Sequence, residues 1–435
     1  MSLFRRPTPR EVFTPGDLPI ERGNVYVSRE SSERLMKRGV ERNRVPVVFG
    51  DYGVGKSSMV RRYFRDLQRA GWMKRRRLGV PREGQVVYFA SSAGLTLPKV
   101  FERILEHLKY RVETEVTRSK TGESEMGFSG SRLTANRTTS RGKSSVSTLV
   151  VTAPTDEGIL RIIDKAELTI IIDELHLASD AFRADLVPFI KASRLSAGNS
   201  NLVLIGTSAD TLAIVGSDPG TDRYIQDTPV GSMAAPEARS LITDGFARLN
   251  VSIPTSLVDT TVDIASGAPT ILQSLCLDMA ERAQSENRRE VVQDDLNTAV
   301  RQFIADKNAR MTRKYLGAIE TYGDRRYRKQ ILHAMSEVEG EYATMEDIRR
   351  AVSTQLNTEV PSSALSGPLQ QLREPKYGSV LTDIERETGG RIQNMTSFSD
   401  PMMKSYVRFM KAADSAKVVP EEQAREAVKR GMADH

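Results

Sequence analysis

Cysteine and histidine are scarce in this sequence of 435 residues, which contains one cysteine and four histidines. Because Cys276 is the single cysteine, the chain can form no intrachain disulfide and no metal site with two cysteine ligands. The histidines are scattered, and no two of them stand at the spacing of metal ligands. These absences exclude a disulfide framework and cysteine-based metal sites, and they favour the cytoplasm as the default location.

Long hydrophobic runs are also missing. The longest apolar runs, such as residues 168–172, have the length of a strand, whereas a membrane-spanning helix needs about 20 apolar residues. The first residues, MSLFRRPTPREVF, carry charge but no apolar stretch, so they do not resemble a secretion signal. The sequence therefore predicts no association with a membrane.

Positive charge is unevenly distributed along the chain. The formal net charge is +7, and residues 1–80 alone contain 19 lysines and arginines, including the run KRRR at 74–77. Such a bias can attract nucleic acid by charge alone. A solvated basic face, or a surface that meets an acidic neighbouring subunit, would produce the same pattern.

Apolar runs and amphipathic helical patterns alternate between residues 45 and 209. The runs are short and continuously apolar, which is typical of parallel strands that are covered on both faces. The predicted strands cover 45–50, 84–90, 166–174 and 201–209, and the predicted helices cover 56–72, 97–110 and 181–193. The sequence therefore predicts an α/β fold with a parallel sheet core.

Changes in composition mark the predicted domain boundaries. Residues 114–149 are rich in Ser, Thr and Gly, and we expect either an inserted β-hairpin or a loop there. Three helical patterns and then two strand patterns follow residue 324, which is the order of a winged helix. The predicted regions are an irregular arm (1–20), the sheet core (21–230), a helical lid (231–312), a winged-helix domain (313–413) and a tail (414–435).

A phosphate-binding motif, G-x-x-x-x-G-K-[ST], lies between the first predicted strand and the helix after it. Glycines allow successive backbone N–H groups to point at phosphate oxygens, and the start of the helix adds the positive end of its dipole. Lys56 would reach the β- and γ-phosphates of ATP, and the Ser57 hydroxyl would bind Mg²⁺. The predicted binding residues are Gly50, Asp51, Tyr52, Gly53, Val54, Gly55, Lys56, Ser57 and Ser58.

Two carboxylates, Asp173 and Glu174, end the predicted strand LTIIIDE. In a parallel sheet this end lies at the edge where ligands bind. We expect Asp173 to hold Mg²⁺, commonly through water, and Glu174 to orient or deprotonate an attacking water. The alternative is a solvated strand end with no catalytic role.

Thr207 and Arg223 are further candidates near the ends of strand patterns. A hydroxyl at Thr207 can sense the γ-phosphate, or it can cap the following helix. Arg223 can reach the nucleotide of a neighbouring subunit and neutralise charge in the transition state, or it can form a structural ion pair with a nearby aspartate. The sequence leaves both choices open.

These motifs together resemble the AAA+ ATPases, in particular the branch shared by origin-recognition initiators and STAND signalling ATPases. The resemblance covers about residues 20–410. The segment VYVSRESSERL is similar to the segment before the phosphate loop in the family, with Ser28 in place of a glycine. GAPTILQSLC resembles the G-x-P turn of the STAND lid, and the lid helix lacks the arginine that initiators carry, which favours the STAND side.

The resemblance implies a P-loop AAA+ core with a helical lid and a C-terminal winged helix. It places Val27 along the adenine and Pro269 near the base, and it implies slow ATP hydrolysis with Mg²⁺. The leading hypothesis is an ATP-dependent switch that forms homo-oligomers and binds double-stranded DNA. Candidate DNA contacts lie in three places: the helix 362–372, the wing with Arg386 and Arg391, and the insert with Arg132, Arg137, Arg141 and Lys143.

Two alternatives remain at this stage. A STAND-like signalling or defence ATPase would use the winged helix to close the nucleotide domain and would act on a protein effector. A transposition-regulator ATPase would form ATP-dependent filaments on DNA. The fold alone does not choose among them, since one scaffold carries many functions.

Overall fold

The computed structural model describes residues 6–16, 24–69, 86–108, 110–113, 149–152, 156–195, 200–207, 219–307, 309–320, 327–338, 342–388 and 391–418. The chain forms two compact units. The sheet unit comprises Ser31–Phe49 and Tyr63–Pro229, and the helical unit comprises Met1–Glu30, Gly50–Arg62 and Val230–His435. No helix among the described residues is both long enough and apolar enough to span a bilayer.

The described residues of the sheet unit form seven strands: β1 (Val45–Phe49), β2 (Val86–Ala90), β3 (Tyr110–Glu113), β4 (Leu149–Thr152), β5 (Thr169–Asp173), β6 (Asn201–Gly206) and β7 (Ile225–Pro229). Five of them form one sheet in the order β2-β5-β6-β1-β7, and every neighbouring pair is parallel. Every residue of β5 is buried, as expected for a continuously apolar strand in the middle of a covered sheet. The predicted parallel sheet is confirmed.

Helices α2 (Glu30–Glu41), α3 (Lys56–Arg69), α4 (Leu97–His107), α5 (Asp156–Lys165) and α6 (Asp180–Leu195) accompany these strands. Apolar residues of α4, α5 and α6 pack with the strands in one core cluster. The prediction of a helix to residue 110 was wrong at its end, because Tyr110 begins β3, which pairs in parallel with β4. Residues 114–148 of the predicted insert, with its candidate DNA contacts, lie outside the described residues.

The helical unit begins with a short helix, α1 (Pro9–Val12), within the stretch predicted as an irregular arm. Thr8 and Glu11 cap this helix, and Phe13 is completely buried against Phe246, with ring centroids 5.2 Å apart. The following helices are α7 (Ala235–Leu249), α8 (Thr255–Ala265), α9 (Pro269–Ser285), α10 (Gln293–Gln302), continued by a π-helical turn at Phe303–Lys307, and α11 (Ala309–Ile319). Phe13, which precedes the phosphate motif in the sequence, thus packs on helix α7, which follows that motif.

The last part of the helical unit consists of α12 (Tyr327–Glu337), α13 (Met345–Leu356), α14 (Ser362–Arg373), β8 (Leu381–Thr388), β9 (Arg391–Phe398) and α15 (Pro401–Ser415). The two strands form an antiparallel hairpin, and a bridge joins Ala343 to Thr396. Three helices followed by a hairpin is the order predicted for a winged helix. One continuous apolar core links this part to α7–α11, and α11 spans the predicted boundary at residue 312.

Candidate functional site

The phosphate loop, defined here as Gly50–Ser58, begins one residue after the end of β1 and runs into the first turn of α3. Gly50 has a φ angle of +153° and Gly53 one of +80°, so the backbone of the loop needs glycine at both positions. A Cβ atom on Gly50 would also lie 2.1 Å from the carbonyl oxygen of Val230. The sequence pattern therefore corresponds to a tightly curled loop that a side chain at Gly50 would disrupt.

Lys56 is the first residue of α3, a helix of 14 residues. Its Nζ donates hydrogen bonds to the backbone carbonyl oxygens of Gly50, at 2.8 Å, and Asp51, at 2.9 Å. The ammonium group is thus held across the loop, at the positive end of the helix dipole. Ser57 and Ser58 follow in the first turn and are half-buried. This set of N–H groups, one ammonium and two hydroxyls has the chemistry that binds phosphate.

Arg29 supports the phosphate loop from the segment before α2. Its guanidinium is buried and donates hydrogen bonds to the carbonyl oxygens of Val54, at 3.2 Å, and Gly231. It also lies 3.3 Å from the carboxylate of Glu237. Arg29 therefore ties the predicted adenine segment to the loop, a role that the sequence motif alone did not define.

The start of α9 lies beside the loop as well. Pro269 is the first residue of α9, and its Cγ lies 3.9 Å from where a Cβ on Gly55 would be. The Thr270 hydroxyl donates a hydrogen bond of 3.4 Å to the Gly53 carbonyl. Val27 is half-buried against the core of the same unit. Pro269 therefore lies close to the phosphate loop, and its contact with the base, like that of Val27 with the adenine, stays a prediction.

The C-terminal helix α15 contacts the phosphate loop through two cations. The carboxylate of Asp51 lies 3.1 Å from Lys404 Nζ and 3.7 Å from a guanidinium nitrogen of Arg408. The Ser405 hydroxyl lies 3.5 Å from the Tyr52 carbonyl oxygen. Sequence analysis missed these residues, because the spacing of Lys404 and Arg408 indicates only that they share one face of a helix.

In the sheet unit, Asp173 ends β5 and is buried. Its Oδ1 accepts a hydrogen bond of 2.8 Å from the backbone N–H of Glu174. Glu174 has left-handed backbone angles, φ 56° and ψ 44°, which are uncommon for a residue other than glycine. Such backbone strain costs on the order of 1–3 kcal/mol and is concentrated at functional sites.

Arg183 on α6 fixes the turn that follows Glu174. It donates a hydrogen bond of 2.9 Å to the carbonyl oxygen of Leu175, the first residue of the 3-10 turn Leu175–Leu177. Arg183 also forms an ion pair of 2.8 Å with Asp180. The unusual conformation of Glu174 is therefore held between a buried strand and an anchored turn.

Thr207 follows β6 directly and is half-buried. Since β1, β5 and β6 are parallel, Thr207 and Asp173 stand at the edge of the sheet where β1 also ends. Arg223 is exposed on the 3-10 turn Pro219–Tyr224, and its guanidinium lies 4.8 Å from the ring centroid of Tyr224. Asp218 lies outside the described residues, so the ion-pair alternative for Arg223 stays open.

The described residues contain no group of three or more His, Cys, Asp or Glu side chains that could hold a metal ion by themselves. Cys276 is buried, and burial raises the pKa of its thiol. The roles of Ser57 and Asp173 as Mg²⁺ ligands stay predictions.

Comparison with solved structures finds similar chains at low sequence identity. Among solved structures, the chain is similar to ORC2 of Aeropyrum pernix in its ADP form, with 13% identity over 93% of this chain and 98% of that chain and a TM-score of 0.48. It is also similar to ORC1 of Aeropyrum pernix in complex with DNA, with 14% identity over 95% and 98% of the two chains and a TM-score of 0.46. A third is Cdc6p of Pyrobaculum aerophilum, with 14% identity over 94% and 98% of the two chains and a TM-score of 0.41.

No curated protein matches the sequence significantly. The profile of the family described as novel STAND NTPase 1 matches residues 19–373, which include the phosphate loop, both carboxylates and most of the helical unit. The expected resemblance to the STAND branch of P-loop ATPases is confirmed. The chain is a P-loop NTPase and belongs to the novel STAND NTPase 1 family.

Proposed function

We propose that this nucleotide-binding protein binds ATP with Mg²⁺ at the phosphate loop and hydrolyses it slowly, using the carboxylates that end β5. The observation that carries the proposal is the pair of Lys56 Nζ hydrogen bonds across the loop, at the N-terminus of α3. An ammonium held there is placed to bind β- and γ-phosphate oxygens. In this proposal Ser57 and Asp173 are the protein ligands of Mg²⁺, which neutralises phosphate charge when bound.

Glu174 is the proposed group that orients and deprotonates the attacking water. Its carboxylate follows the buried Asp173, and its strained backbone is fixed by the turn that Arg183 holds. A backbone fixed in this way limits the positions that the carboxylate can reach, which favours proton abstraction from a water bound nearby. Thr207 is the proposed γ-phosphate sensor at the end of the neighbouring strand, and Arg223, exposed beside Tyr224, is the proposed arginine that completes a neighbouring subunit's site.

For the wider role, we propose an ATP-dependent switch that forms homo-oligomers and binds double-stranded DNA. The support is the order of elements of a winged helix, the excess of basic residues and the hairpin β8–β9, which carries Arg386 and Arg391. The predicted recognition helix, α14, contains a single basic residue, Arg373. Contacts to the DNA backbone rather than base readout are therefore expected, and the affinity should fall steeply with salt.

One observation favours the second candidate, a STAND-like switch that acts on a protein partner. Two basic residues of the winged-helix part are tied to acidic neighbours: Arg349 to Glu346, at 2.7 Å, and Arg373 to Asp383, at 2.5 Å. Cations neutralised within the protein attract phosphates less strongly. In this candidate the winged helix serves the nucleotide domain, and the effector is a protein.

The test is the size of the protein in solution with ADP, with a non-hydrolysable ATP analogue, and with the analogue plus duplex DNA. The leading proposal predicts a larger species with the analogue, and DNA binding that weakens at least tenfold between 50 and 200 mM salt, roughly as expected for several phosphate contacts. Assembly without any DNA binding at low salt would support the second candidate. No response to nucleotide in any condition would contradict both.

A further inference from the structure

Asp51 is engaged by two different lysines through two different groups. Its backbone carbonyl oxygen accepts a hydrogen bond of 2.9 Å from Lys56 of the phosphate loop. Its side-chain carboxylate lies 3.1 Å from Lys404 of α15, a side chain that is only 7% exposed. A single loop residue therefore joins the phosphate-binding lysine to a helix that follows it by about 350 residues.

The helix α15 is itself firmly held in the helical unit. The hydroxyl groups of Tyr406 and Thr312 share a hydrogen bond of 2.5 Å, and the rings of Phe409 and Phe303 lie 4.8 Å apart. Burial raises the pKa of Tyr406, so this hydroxyl stays protonated. Lys404 is thus presented to the loop from a packed helix rather than from a mobile segment.

The contact surface between the loop and α15 is closely packed. Tyr52 and Gly53 face Met402, Ser405 and Tyr406 across a seam in which the remaining space is about 20 Å³. That volume is close to the room needed for a single water molecule. Close-packed contacts transmit displacement. We therefore expect a movement of α15 to displace the loop, and a movement of the loop to displace α15.

We propose that Lys404, assisted by Arg408, is a positioning residue of the nucleotide site that acts through Asp51. The inference rests on the proposed function, since it concerns how long the phosphate loop retains a nucleotide. With the carboxylate held, the loop keeps the curl in which Lys56 lies across it. When the carboxylate is released, the loop samples other conformations, and bound phosphates are lost faster.

Removing either partner should have a large effect here, because the pair is mostly buried and solvent weakens its attraction little. The test measures the dissociation rate of a fluorescent ADP derivative from the full-length chain, after mixing with excess unlabelled ADP. The variants are Lys404→Met, Asp51→Asn, the double variant, and the charge exchange Asp51→Lys with Lys404→Asp. Lys411→Gln is the matched control, because this lysine is on the same helix but pairs with Glu337.

We expect each single variant to release the derivative about tenfold faster than the wild type, which corresponds to part of the energy of a buried pair. The double variant should be no faster than the single variants, and the charge exchange should recover part of the loss. Lys411→Gln should match the wild type. A merely structural role would lower the melting temperature in all these variants without this pattern of release rates.

Release rates within twofold of the wild type in both single variants would overturn the proposal, as would equal acceleration by Lys411→Gln. If the wild type bound no ADP at all, the proposed function itself would fail together with this inference. Where Lys404→Met does not fold, Lys404→Arg serves as the second variant. If Lys404→Arg releases the ADP derivative as slowly as the wild type, the proposal is supported. If it releases the derivative tenfold faster although the charge is preserved, the proposal is contradicted.

Discussion

The two units of the protein carry opposite charges at their functional residues. In the helical unit, the phosphate loop is surrounded by cations: Lys56 lies across it, Arg29 supports its backbone, and Lys404 binds its carboxylate. In the sheet unit, the strand β5 ends in the carboxylates Asp173 and Glu174. If the proposed function is right, the cations bind phosphate and the carboxylates activate water, so we expect mutations to impair nucleotide binding and hydrolysis separately.

The largest expected effect is the loss of ATP turnover in Glu174→Gln. The amide keeps the size of the side chain but cannot accept the proton of the attacking water, so we expect ATP turnover to fall by about 100- to 1,000-fold. Nucleotide affinity should change less than threefold, because the phosphate-binding groups belong to the helical unit. Steady-state phosphate release and equilibrium binding measure the two quantities.

Asp185→Asn is the matched control for this experiment. It removes an exposed carboxylate on α6 in the same unit. Turnover should remain within about threefold of the wild type, because an exposed charge contributes little. If Glu174→Gln lost as much ATP affinity as turnover, nucleotide binding and hydrolysis would not be separable by mutation.

Arg29→Met tests the structural support of the phosphate loop. The substitution removes two hydrogen bonds to backbone carbonyl groups and leaves Glu237 without its buried partner. We expect the helical unit to lose about 3 kcal/mol of unfolding free energy, measured by denaturant titration.

The control for this loss is Arg10→Met, which breaks an exposed ion pair with Glu281 in the same unit. An exposed pair is worth about 0–1 kcal/mol, so little change is expected. Equal stability of the two variants would contradict the role given to Arg29.

Acid should weaken the helical unit through His333. Burial, together with nearby Lys329 and Lys411, lowers the pKa of His333 from 6.5 to about 4 in the folded protein. Between pH 6.5 and pH 4, the unfolded chain binds more protons at His333 than the folded protein does. The stability that neutral His333 contributes is therefore fully present above pH 6.5 and is lost as the pH falls towards 4. We expect a loss of about 2 kcal/mol, seen as faster hydrogen exchange in α11 and α12.

His333→Gln should remove most of this pH dependence, because glutamine does not titrate. In the wild type, the neutral ring of His333 forms a hydrogen bond of 3.2 Å between its Nε2 and the Tyr315 hydroxyl. Parallel stability curves for the wild type and His333→Gln between pH 7 and 4 would exclude this histidine as the cause.

Local patterns predicted much of the fold. The strand β1, the glycine loop and the helix α3 are adjacent in sequence, so spacing and apolar runs were sufficient to predict them. The same holds for α7 and α9 and for the hairpin β8–β9, whose apolar periods and turn residues are local. The same local pattern predicted that Asp173 ends a buried strand, which the structure shows, while the roles of Asp173 and Glu174 stay predictions.

Long-range contacts could not be predicted in this way. Lys404 and Asp51 are 353 positions apart, and nothing in either segment identifies the other. The short helix α1 is stabilised by packing of Phe13 on Phe246 rather than by its own four residues. The pairing of β3 with β4 likewise depends on two segments separated by a long insert. Tertiary packing, not local propensity, decides such features.

The proposed switch depends on a nucleotide binding at the phosphate loop, and one titration measures that binding. Fluorescent ATP and ADP derivatives are titrated against the wild type, Lys56→Ala and the remote control Lys376→Ala, an exposed lysine on the 3-10 turn Pro375–Tyr377. We expect saturable binding by the wild type and the control, with affinity at least about 100-fold weaker in Lys56→Ala, which corresponds to roughly 2.7 kcal/mol. Equal affinity of Lys56→Ala and the wild type would contradict binding at this loop.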